Sequence, residues 1–119
     1  MPYKYEWHED GFIVNLWGTL SIKELTYINS IWKESSFGQK LTWQIWDFTK
    51  ADLQYIFESD MQDPKATLTL DGVRLALIAT EPYTIQLLET YIERSIKVGS
   101  NWNMKVFKNI EDAKIHAKQ

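Results

Sequence analysis

The sequence predicts an α/β fold, a five-stranded mixed β-sheet with an N-terminal antiparallel hairpin and about four helices. Three observations carry this expectation. The chain opens on strict polar–apolar alternation, the period of a strand with one wet face. Short apolar runs then alternate with stretches of helical period. Helix-start signals stand between them, the clearest being Ser21 with Glu24 three positions on.

Each element follows in order. Tyr3, Tyr5 and Trp7 alternate with Lys4, Glu6 and His8, which gives an edge strand. Glu9-Asp10-Gly11 is a turn signal, and Phe12 to Trp17 reads as a second strand, apolar on both sides. Ser21 opens a capping box, and Ile22, Leu25, Ile28 and Trp32 line one face of a helix that runs to about Ser35. Leu41 to Phe48 reads as a central strand interrupted by Asp47. Thr49-Lys50-Ala51-Asp52 repeats the capping pattern, so a helix carrying Leu53, Ile56 and Phe57 is expected, re-nucleating at Asp63-Pro64 and ending near Gly72. Val73 to Ala79 is a buried strand. Thr80-Glu81-Pro82 starts a helix with Ile85, Leu88, Ile92 and Ile96 on one face. Trp102, Met104 and Val106 alternate with Asn103 and Lys105 as a last strand. Asn109 then caps a final helix with Ile110, Ala113 and Ala117 on a thin apolar side. Strands separated by helices are joined by crossovers and so run mostly parallel.

Composition bounds the function classes. At 119 residues the expectation is one domain over 1–119. Hydrophobic content of 45% and charged content of 24% belong to a globular chain rather than a disordered one. With no cysteine, thiol nucleophiles, thiolate zinc sites and disulfide frameworks drop out together. This fits a reducing compartment, and a cytoplasmic location is expected. The first residues carry no apolar signal core, and no window is long and apolar enough to span a membrane. A pI near 5.3 argues against nucleic acid as partner, and Lys97, Lys105, Lys108, Lys114 and Lys118 read as a solvated face. Six Trp, six Tyr and five Phe are a heavy aromatic load, to be divided between core and contact surface.

The order of elements resembles the STAS fold of bacterial anti-sigma-factor antagonists, and more narrowly the SpoIIAA-like family of small stand-alone domains. The residues that carry the resemblance are Trp46-Asp47-Phe48-Thr49, the Val73–Ala79 run before Glu81-Pro82, and Lys105 to Ala113 at the C-terminus. It covers nearly the whole chain. It implies a five-stranded sheet with helices packed on it and a protein partner, switched by phosphorylation of a serine after the third strand. The sequence departs from the pattern there. The corresponding stretch, Tyr55-Ile56-Phe57-Glu58, offers no acceptor serine, and nothing flanks Ser59 as the motif requires. The switch is not expected to carry over.

Ligands of open α/β sheets bind outside the carboxyl ends of the strands. That rule gathers Asp47, Thr49, Asp52, Thr80 and Glu81 on a candidate ligand rim. The plain alternative is that these residues satisfy helix-start amides. Trp17, Trp46 and Phe57 are candidates for an apolar pocket between sheet and helices. Leu87, Tyr91 and Arg94 form a second line on their helix and are candidates for a partner surface. His8 and His116 read as surface residues, and neither has a ligand at metal-pair spacing. No catalytic residue, metal or cofactor is expected. The reading is therefore a non-catalytic binding or regulatory module that holds a protein partner or a second copy of itself. The alternative is a carrier of a small apolar ligand. A third is an enzyme with an Asp47/Glu81 acid–base pair.

Overall fold

The computed structural model describes residues 2–35, 40–61 and 70–118. The elements run β1 (Tyr3–Trp7), β2 (Gly11–Thr19), α1 (Ile22–Glu34), β3 (Trp43–Asp52), β4 (Arg74–Ile78), α2 (Pro82–Lys97), β5 (Asn103–Phe107) and α3 (Ile110–Ala117). The five strands lie in the sheet in chain order. β1 pairs antiparallel with β2, and the other three pairings are parallel.

That order decides where the helices go. Parallel crossovers of one hand, taken stepwise across a sheet in one direction, all fall on the same face. The α1 residues Ile28 and Trp32 and the α2 residues Leu87 and Leu88 accordingly share one core with Phe12, Val14, Trp46, Leu75 and Leu77. The opposite face is left to the terminal helix. α3 packs across β3, β4 and β5, burying Ala113 and Ala117 against Ile13, Trp43, Ile45, Ala76 and Ile78. With only eight residues, it leaves the β1–β2 half of that face to polar side chains such as Lys4, Glu6 and Asn15.

Local chemistry fixes the helix starts. The Ser21 hydroxyl accepts from the Glu24 amide at 3.1 Å while the Glu24 carboxylate accepts from the Ser21 amide at 3.1 Å. Pro82 opens α2, where its missing N–H costs nothing. The Asn109 side chain accepts from the Asp112 amide at 2.8 Å and starts α3.

The structure departs from the sequence reading after β3. The helix expected from Leu53 is not formed. β3 runs on to Asp52 because Gly18 and Thr19 of β2 pair with Ala51 and Asp52. The Asp52 carboxylate then closes a turn by accepting from the Gln54 amide at 3.0 Å, and the Ile56 amide donates to the Leu53 carbonyl at 3.0 Å. A single 3-10 turn, Glu58–Met61, follows. The described residues thus hold three α-helices where about four were expected. The expected re-nucleation at Asp63-Pro64 lies outside the described residues. His116 is also corrected: it is buried rather than at the surface. Its Nε2 lies 3.0 Å from the Asn103 carbonyl. A carbonyl only accepts, so Nε2 carries the proton.

Candidate functional site

At the strand-end rim, the Asp47 and Asp52 carboxylates are taken up by their own turns. Between Asn15 and Trp17 of β2 the register of the β2–β3 pair slips, leaving one more residue on β3 than on β2. The Asp47 carboxylate serves that irregularity. Its Oδ1 accepts from the Thr49 amide at 3.0 Å and from the Thr49 hydroxyl at 2.6 Å. Asp52 accepts from the Gln54 amide, from the Gln54 side chain at 2.7 Å and from the Thr19 hydroxyl at 3.4 Å. Thr80 and Glu81 stand exposed beyond the end of β4, and Glu81 makes no side-chain cap to α2. Among the described residues no hydrogen bond joins Asp47 to Glu81. Asp47 and Asp52 thus brace turns of the rim, while Thr80 and Glu81 are exposed.

The aromatic trio expected to line a pocket is split. Trp46 is buried, but Trp17 is 42% and Phe57 58% exposed. Trp17 pairs in register with Lys50 near the end of β2. Phe57 misses the core because no helix forms there. The turn buries Leu53 and Ile56 and turns Tyr55, 66% exposed, and Phe57 outward.

The expected partner stripe on α2 points inward. Leu87 is fully buried in the main core. Tyr91 is half-buried, and burial pushes its phenol up to about 12. The Arg94 guanidinium donates to the Glu58 carbonyl. α2 packs against both β5 and the 3-10 turn, so its buried face is wide. Ile96, expected on the inner stripe, is the exposed residue instead.

A cavity of about 320 Å³ does exist between sheet and helices, with walls the sequence reading did not assign to it. It lies over β3 and β4, lined by Trp32 of α1, Trp46 and Phe48 of β3, Leu88 and Tyr91 of α2, and Trp102, and is partly open. Lys33 and Asp60, both exposed, stand where it meets the surface. Its polar floor residue is Gln44. The alternation of β3 held the missed signal: Gln44 shares the inward phase with Trp46 and Phe48 and is the polar member of that set.

Among the described residues no group of three or more His, Asp and Glu is placed to hold a metal ion. Nor is any described helix long and apolar enough to cross a membrane.

No family model matches the sequence, and no curated protein matches it either. The architecture does match a solved structure, that of the anti-sigma factor antagonist SpoIIAA in its unphosphorylated form. The TM-score is 0.60 at 14% identity, over 98% of this chain and 96% of that one. The chain therefore has the STAS fold in its SpoIIAA-like form, as the sequence order implied. At this identity the likeness is one of fold.

Proposed function

We propose that this chain is a non-catalytic binding module of the cytoplasm that acts through contact with a protein partner and without a phosphoserine switch. One observation carries the reading. At the carboxyl end of the sheet the carboxylates Asp47 and Asp52 are engaged by neighbouring donors, while Trp17, Tyr55 and Phe57 present their rings to solvent. Exposed Trp and Tyr on a rigid rim are the residue types that anchor protein interfaces. Two of these rings sit on the turn after β3, where the family resemblance places the switch. The structure sharing this fold is described as that of an antagonist of an anti-sigma factor, which supports a protein partner here. The absence of cysteine from the sequence suits a reducing compartment.

The test is a photo-crosslinking amino acid at position 55, introduced into the chain in its own cells. A discrete adduct is expected with one partner, or with a second copy of the chain. The adduct should disappear in a Trp17→Ala/Phe57→Ala background and be absent when the crosslinker stands at Glu111 on α3. No adduct at position 55, or equal adducts at both positions, contradicts the proposal.

The cavity over β3 and β4 favours a second reading, in which the module also takes a small apolar molecule between sheet and helices.

A further inference from the structure

We infer that the occupant of this cavity is a neutral, mostly apolar molecule with one hydrogen-bond acceptor, received by the Gln44 side-chain amide. This rests on reading the cavity as a ligand site. The register places Gln44 on the helix-covered face, in one row with Phe12, Leu75 and Met104. It is 2% exposed. Its Oε1 accepts from the Trp46 indole N–H at 3.0 Å. An indole nitrogen only donates, so this contact settles which end of the amide is oxygen. The NH2 end is left, and among the described residues it has no hydrogen-bond partner. Buried donors are rarely left so, because the group has given up its water and received nothing in return.

The rest of the wall narrows the chemistry. The Trp32 indole N–H is spent on the Asn29 side chain at 2.6 Å, and that of Trp102 on the Leu70 carbonyl at 2.7 Å. The three indoles therefore offer the cavity their apolar rings, and Gln44 offers a buried, unpaired donor. The charged residues of the lining, Lys33 and Asp60, are exposed, whereas Gln44 is buried. A carboxylate seated on Gln44 would lose its hydration with no cation opposite. A ketone, ester, amide or ether oxygen meets the same donor without that cost. A cavity of about 320 Å³ is at the small end for ligand sites and suits a body of one or two rings.

The test uses two uncharged probes of nearly the same shape, benzophenone and 1,1-diphenylethylene, the second with a methylene in place of the carbonyl oxygen. Calorimetric titration of the wild-type chain is expected to show benzophenone bound about tenfold more tightly, the difference expected for one satisfied buried donor. In Gln44→Leu that preference should fall to about one. Irradiation of the benzophenone complex should label peptides of α1, β3 and α2. Equal affinity of both probes in the wild-type chain, as a water held at Gln44 would give, overturns the Gln44 assignment and leaves the carrier reading standing. Failure of both probes to bind, or labelling confined to Trp17 and Phe57, overturns the carrier reading and this inference together. The wild-type comparison decides the matter even where Gln44→Leu does not fold.

Discussion

The Trp46 indole N–H donates to the Gln44 side-chain oxygen at 3.0 Å, and both residues lie on the same buried face of β3. The bond satisfies the indole and leaves the Gln44 NH2 unpaired. Gln44 thus stabilises the fold through one end of its amide and burdens it through the other. An unpaired buried donor costs about 1–3 kcal/mol, similar to the cost of orphaning the indole. Gln44→Leu is therefore expected to stay within about 1 kcal/mol of the wild type in urea denaturation. In a Trp46→Phe background no indole is left to orphan, and adding Gln44→Leu should raise stability. A double variant less stable than Trp46→Phe alone would contradict this.

Gly11 is held by a packing constraint. A Cβ placed on it would lie 2.2 Å from the Trp43 ring. That ring is pinned: its N–H donates to the Asp10 carboxylate at 2.8 Å, and the Lys118 ammonium stands 5.3 Å above it. Gly11→Ala should therefore destabilise the fold by about 1–3 kcal/mol, the usual cost of overpacking. In a Trp43→Ala background the penalty should largely vanish. Additive losses in thermal melts would show that the ring is not the obstacle.

Leu87 and Tyr55 separate core from the proposed contact surface. Leu87→Ala empties a fully buried site in the main core and should cost about 2–5 kcal/mol. Tyr55→Ala removes an exposed ring and should change stability by less than about 0.5 kcal/mol while weakening partner capture. Chemical denaturation of both variants distinguishes the two roles.

Much of the fold was legible in the sequence because its signals are local. Alternation from Tyr3 to His8, the Ser21–Glu24 box and Pro82 at a helix start each depend on a few neighbouring residues. The end of β3 was not legible. Thr49 to Asp52 reads as a helix start, and its pairing with distant Gly18 and Thr19 keeps it in the sheet. The exposure of Trp17 was not legible either, because an apolar run alone does not say which of its faces is covered. Gln44 went unread for another reason. A strand buried on both faces lacks the polar–apolar contrast that makes an inward polar residue conspicuous.

Tyr91 gives the fold an alkaline signature. Burial raises its phenol from the ordinary 10.0 to about 12, so the folded state resists phenolate formation more than the unfolded chain does. The stability this supplies is present in full below pH 10 and is lost as pH rises towards about 12. The stability difference between the wild type and Tyr91→Phe should be constant below about pH 10 and move in the variant's favour above it. A difference independent of pH up to about 12 would place the phenol in water.

The most direct test is to watch the Gln44 side-chain NH2 resonances in a nitrogen-edited NMR spectrum, assigned by comparison with Gln44→Leu. Adding benzophenone should move that pair of signals downfield as the carbonyl oxygen accepts its hydrogen bond, and 1,1-diphenylethylene should leave the pair nearly in place. Signals that ignore both molecules, or respond equally to both, would contradict the assignment of Gln44 as the ligand-reading donor.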